Sequence, residues 1–119
     1  MKILLLSLFI FGCSENYAVY SECENTDRAL MEWQTIKEYN YYYVNSDVFA
    51  DLIIFKWNNK VTPLGAYYGN GVIQANDNYR TILHELGHYF NYAHSKNSNS
   101  AMYKEHNNNA TNLIDLQEK

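Results

Sequence analysis

The segment at residues 84–88, which reads His-Glu-Leu-Gly-His, constrains the fold of this chain more than any other feature. Residues four apart on an α-helix lie on one face about one turn apart, so His84 and His88 can reach a single metal ion. With 3.6 residues per turn, the apolar side chains nearby fall on the opposite face of that helix. The pattern predicts a helix from Asp77 or Asn78 to about Phe90, with one face in the core and the other at the floor of a cleft.

His94 extends this pattern, because it lies six residues beyond His88 and after an expected chain reversal. Three imidazoles can form a tetrahedral zinc site with an open fourth position. Glu85 sits about 100° round the helix from His84, where it can reach a metal-bound water. The competing interpretation is an ordinary solvated polar face, and three histidines in one short segment favour the metal site.

Composition limits the classes of protein to consider. A chain of 119 residues supports one small domain. Hydrophobic residues make up 47% and charged residues 18%, which is typical of a globular chain and not of a disordered one. The net charge of −4 gives no electrostatic reason to expect a nucleic-acid partner.

The N-terminus has the pattern of an export signal over residues 1–14. Lys2 precedes an apolar run over residues 3–11, which is shorter than the roughly 20 residues of a membrane-spanning helix. Gly12-Cys13 after two apolar residues resembles a bacterial lipobox, so Cys13 is a candidate for lipidation and membrane attachment. Cleavage after Ser14 with free secretion is the alternative. Both interpretations place a mature domain over residues 15–119 outside the cytoplasm. Cys23 then has no partner unless Cys13 is kept, in which case a disulfide between them is possible.

Hydrophobic periodicity and turn signals predict an α+β or α/β-type domain with one mixed sheet. A Gly-Asn-Gly turn at residues 69–71 joins the last two strands. The predicted strands lie near 17–20, 41–44, 50–57, 64–68 and 72–75. Besides the histidine helix, one helix begins at Asn25 or Thr26 with an apolar stripe of Ala29, Leu30, Trp33 and Ile36, and a short C-terminal helix begins near Asn112 with Asp115 in its first turn.

The histidine segment with His94 resembles the long zinc signature of metzincin peptidases. The following Ala101-Met102-Tyr103 is similar to the Met-turn of the matrixin branch, with Met102 eight residues past the third histidine. The resemblance covers about residues 28–119. It implies a metzincin-like domain with a twisted mixed sheet, an active-site helix, a Met-turn and a short C-terminal helix.

The resemblance also implies roles for individual residues. His84, His88 and His94 would bind one catalytic zinc ion, and Glu85 would be the general base that takes a proton from the zinc-bound water. Met102 would pack beneath the metal without ligating it. An edge strand would pair with an extended peptide substrate, and the segment after Met102 would wall the primed-side specificity pocket. The substrate-binding residues implied in this way are Leu64, Gly65, Ala66 and Tyr103.

The predicted function is a zinc-dependent endopeptidase acting on peptides or proteins, expected to be a monomer. The alternative is a catalytically inactive, truncated zinc-binding relic or interaction domain, since the resemblance is short at both ends.

Asn91 stands where the family has a turn glycine, and Asn tolerates the left-handed backbone that this position needs. Lys104 replaces the family's proline. Calcium is not expected, because Asp77 is a single carboxylate between two asparagines and helix capping explains it better.

Overall fold

A five-stranded mixed sheet shares one hydrophobic core with two α-helices, which gives the described part of the chain an α+β architecture. This computed structural model describes residues 15–58 and 64–119. The predicted export signal and Cys13 lie outside the described residues. The elements are β1 (Glu15–Ser21), α1 (Thr26–Trp33), β2 (Tyr39–Tyr43), β3 (Leu52–Lys56), β4 (Gly65–Gly69), β5 (Val72–Ala75), α2 (Tyr79–Tyr89), β6 (Tyr92–Ala93) and β7 (Gln117–Glu118).

The sheet has the strand order β2–β1–β3–β5–β4, which makes β4 an edge strand. The pairs β2–β1, β1–β3 and β3–β5 are parallel, and β4 alone runs antiparallel to its neighbour β5. The predicted turn between β4 and β5 is confirmed. Gly71 has φ +79°, and a Cβ there would lie 2.1 Å from the carbonyl oxygen of Asp51. A side chain at this position would therefore displace the backbone that leads into β3.

The core lies between the sheet and the helices. Val19, Ile54 and Ile73 from three neighbouring strands are fully buried, and they share one cluster with Trp33 of α1 and Leu86 of α2. Burying a large apolar side chain contributes about 1.5–3 kcal/mol, so this cluster fixes the position of α2 against the sheet. The sequence prediction of a core-facing side on α2 is confirmed.

The N-termini of the two helices meet at Asp77 and Asn78. The carboxylate of Asp77 accepts hydrogen bonds from the backbone N–H groups of Glu24 (2.9 Å) and Asn25 (3.0 Å), just before α1. The side chain of Asn78 accepts a hydrogen bond from the N–H of Thr81 at 3.1 Å and caps α2. Asp77 thus stabilises the start of one helix from the loop before the other.

Two sequence predictions about helices are wrong. The predicted apolar stripe of α1 included Ile36, but α1 ends at Trp33 and Ile36 is exposed. The predicted C-terminal helix from Asn112 is absent from the described residues, where an irregular segment leads into β7. Asp115, predicted in that helix's first turn, has φ +51°, which is incompatible with a right-handed helix.

The C-terminal segment forms non-local contacts in place of the helix. The carbonyl of Asn112 accepts a hydrogen bond from the N–H of Ala101 at 2.8 Å, and β7 pairs antiparallel with β6. Leu113 and Leu116 pack against the core. Because a helix of this length is marginal on its own, these contacts decide the structure. No helix in residues 15–58 and 64–119 has the length and hydrophobicity needed to cross a lipid bilayer.

Candidate metal centre

Three imidazoles converge at the C-terminal half of α2. The ligand atoms of His84, His88 and His94 all lie within 4.8 Å of one another. Nε2 of His88 and Nε2 of His94 are 3.2 Å apart. Two nitrogens bound tetrahedrally at zinc distances would lie about 3.3 Å apart, so this spacing fits a shared ion.

Backbone carbonyls orient the two helical imidazoles. Nδ1 of His84 lies 2.8 Å from the carbonyl oxygen of Ala101, and Nδ1 of His88 lies 2.9 Å from that of Tyr92. A carbonyl oxygen only accepts hydrogen bonds, so in both rings Nδ1 carries the proton and Nε2 keeps its lone pair. This second layer of contacts is the usual way in which metal-binding histidines are held in one tautomer.

Desolvation favours the neutral form of all three imidazoles, most strongly at the buried His84. Desolvation lowers the pKa of His84 to about 3, although the hydrogen bond to Ala101 acts in the opposite direction. Desolvation also lowers the pKa of His88 and of His94. Metal binding requires neutral imidazoles. Imidazoles that are already neutral can bind a cation without first releasing a proton.

A left-handed turn returns the chain from α2 to the histidine cluster. Asn91 has φ +75°, as the sequence predicted, and its N–H donates to the carbonyl of His88 at 3.0 Å. Strand β6 follows and is held by β7. The N–H of Ser95 donates to the carbonyl of Met102 at 2.9 Å, which fixes the backbone beside His94.

Glu85 lies next to the cluster but is not one of the converging groups. It is only 7% exposed. Burial raises the pKa of its carboxyl to about 7, while the charge of Arg80 and a hydrogen bond from the backbone N–H of Tyr67 act in the opposite direction. A carboxylate whose pKa lies near neutrality is well suited to take up and release a proton.

Met102 packs against α2 at Gly87. Its side chain is fully buried. A Cβ placed on Gly87 would lie 2.1 Å from Sδ of Met102 and 3.0 Å from Cζ2 of Trp33. Gly87 therefore lets the methionine lie directly against the helix between the two helical histidines.

We expect Gly87→Val to lower the free energy of unfolding by about 3 kcal/mol, because the added atoms overpack a filled core. Urea unfolding measures this change. The double variant Gly87→Val/Met102→Ala should be less destabilised than the sum of the two single changes, since the methionine is the main obstacle. Strictly additive effects would contradict this packing.

A cavity of about 220 Å³ opens beside His84 and Glu85. Of the four predicted substrate-binding residues, Leu64 and Gly65 line it, whereas Ala66 and Tyr103 do not. Ala66 lies on the edge strand β4, and the carbonyl of Tyr103 accepts a hydrogen bond from Nη2 of Arg80 at 2.6 Å. The remaining residues that line the cavity are Arg80, Thr81, Lys104 and His106.

Arg80 is the site residue that the sequence analysis missed. It is 4% exposed and lines the cavity one helical turn before His84. The spacing of four residues was visible in the sequence and places both side chains on one helix face. Its buried guanidinium donates hydrogen bonds to the carbonyls of Tyr103 and Ala110, which belong to a distant part of the chain.

Comparison with known proteins gives no family assignment. No model of a known protein family matches the chain, and no curated protein matches it significantly.

Proposed function

We propose that this protein is a zinc-dependent endopeptidase of the metzincin class, with a matrixin-like catalytic domain. The observation that carries the proposal is the convergence of His84, His88 and His94 beside the buried carboxyl group of Glu85. A site that only held the fold together would not need a buried carboxylate that is not a ligand.

The residues present fit one zinc ion. Three neutral imidazoles with oriented Nε2 atoms form the donor set of a zinc site that keeps one position open. Held by these three imidazoles, zinc would supply Lewis acidity toward the scissile carbonyl and the attacking water. The described residues that converge here offer no thiolate, which distinguishes the site from thiolate-bearing structural zinc sites.

The protein's own residues supply proton transfer and substrate alignment. Glu85 takes the proton of the attacking water and returns a proton to the leaving amide nitrogen. Strand β4 is at the edge of the sheet, so its outer backbone groups can pair with an extended peptide. Gly65 approaches α2 so closely that a Cβ would lie 2.6 Å from Cγ2 of Thr81, which brings this edge next to Glu85.

The direct test is cleavage of a peptide library by the purified protein, followed by mass spectrometry. We expect cleavage that stops with a zinc chelator and returns on adding one equivalent of zinc, because all three donors belong to this chain. Bound zinc without any cleavage would contradict the peptidase and favour the inactive zinc-binding alternative. Cleavage that is insensitive to the chelator would exclude the metal centre as its source.

We further propose an extracytoplasmic location, with a lipid on Cys13 as the means of attachment. This proposal rests on the sequence of residues 1–14 alone. Cells expressing the protein should retain it in the membrane fraction, and Cys13→Ser should release it or block its processing. A soluble exported form that begins at Glu15 in the unaltered protein would exclude lipidation and support ordinary signal cleavage.

A further inference from the structure

The cavity beside Glu85 is lined by more basic than acidic side chains. Its volume of about 220 Å³ is below the range of most small-molecule sites, so it suits one side chain of a larger ligand. Three of its eight lining residues have basic side chains, namely Arg80, Lys104 and His106. Glu85 is the one acidic residue among them.

Arg80 is a buried cation whose charge is not balanced by an ion pair within residues 15–58 and 64–119. Its Nη2 donates to the carbonyl of Tyr103 and its Nε donates to that of Ala110 at 3.4 Å. These bonds use two of the five N–H groups of a guanidinium. Burial lowers the pKa of Arg80, and the charge of Glu85 opposes that shift. Buried charges are normally paired, so this guanidinium favours a carboxylate in the cavity.

Two further basic residues lie on the loop after Met102. Lys104 and His106 are exposed and line the same cavity as Arg80. The charges of Arg80 and Lys104 together exceed that of Glu85, the one carboxylate among the residues that line the cavity. A lysine or arginine side chain would be repelled, and an apolar side chain would cover Arg80 without pairing it.

We infer that this cavity binds an acidic side chain of the substrate, so that the enzyme prefers peptides with glutamate or aspartate at the residue after the scissile bond. The inference rests on the proposed peptidase function and adds the class of substrate. Arg80 supplies the buried charge, and Lys104 adds a second cation at the open side of the cavity.

The test uses three peptides that differ only at the residue after the scissile bond, which is Glu, Gln or Leu. Glu and Gln have nearly the same shape, so their comparison isolates the charge. A hydrogen bond to a buried charged group typically contributes enough for about tenfold discrimination or more. We therefore expect kcat/KM for the Glu peptide to exceed that for the Gln peptide about tenfold, with the Leu peptide no better than Gln.

Two variants assign this preference to the cavity. Arg80→Met should bring the Glu-to-Gln ratio close to one. Because this change also removes a buried donor to the carbonyl of Tyr103, Lys104→Met provides a second measurement that does not depend on the fold of the Arg80 variant. Lys104 is exposed, and its loss should lower the ratio about threefold, as expected for an exposed charge pair. Lys96→Met removes an exposed lysine outside the cavity and should leave the ratio unchanged.

Binding of non-cleavable analogues separates this inference from the peptidase proposal. Each peptide is also made with a reduced bond in place of the scissile amide, and its binding to the zinc-loaded protein is measured by fluorescence anisotropy. Tighter binding of the Glu analogue supports a cavity that binds acidic side chains, even if no peptide is cleaved. Equal binding of the Glu and Gln analogues, or cleavage without preference for Glu, overturns the inference that the cavity binds an acidic side chain and leaves the peptidase proposal standing.

Discussion

Replacing Glu85 with Gln should lower kcat/KM for peptide cleavage by about 10²–10⁴-fold, the typical contribution of a general base. Gln has nearly the same size and keeps a polar oxygen, but it cannot take up a proton from the attacking water. The three imidazoles are unchanged, so zinc content measured by atomic absorption should stay at one ion per chain.

The folded state should tolerate this substitution. Burial raises the pKa of Glu85 from 4.5 to about 7 in the metal-free protein, so the ionised carboxylate lowers stability once the pH rises above 4.5 and through 7. Gln removes that cost, and the melting temperature at pH 8 should be no lower than that of the unaltered protein. Glu105→Gln, at an exposed site outside the cavity, is the matched control and should keep full activity. Chelator-sensitive cleavage that survives in Glu85→Gln would refute the role of Glu85.

The helical half of the site was predictable from local sequence. The spacing of His84 and His88, the apolar residues on the other face and the cap at Asn78 all concern residues within about three turns, and the structure has α2 at Tyr79–Tyr89. The left-handed turn at Asn91 was also readable, because few residues besides Gly tolerate that backbone. These features depend on local conformational preferences, which can be inferred from neighbouring residues in the sequence.

The remainder of the site depends on contacts between distant segments. The apolar residues Leu113 and Leu116 fit a short helix as well as an extended segment. Pairing of β7 with β6 favours the extended segment over the helix. No local sequence pattern indicates this pairing. The burial of Arg80 likewise depends on carbonyls that lie 23 and 30 residues further along the chain. Sequence periodicity identified the face of the helix but not what covers it.

Replacing His94 with Ala should weaken zinc binding by more than about 100-fold. Loss of a residue that merely supports a ligand typically costs 10–100-fold in metal affinity, and His94 supplies one of the three converging nitrogens itself. Competition with a chromophoric chelator measures the dissociation constant. His94 is exposed, so its truncation should leave the melting temperature of the metal-free protein near that of the unaltered chain.

His106 provides the matched control for this experiment, because it is the remaining histidine of the chain and is also exposed. It does not belong to the converging cluster. His106→Ala should therefore bind zinc as tightly as the unaltered protein. Since two imidazoles on one helix form a much weaker site than three around one ion, only the loss of His94 should free the metal for the chelator. Equal zinc affinity in the two variants would mean that His94 is not a ligand and that the open side of the cluster is completed by another group.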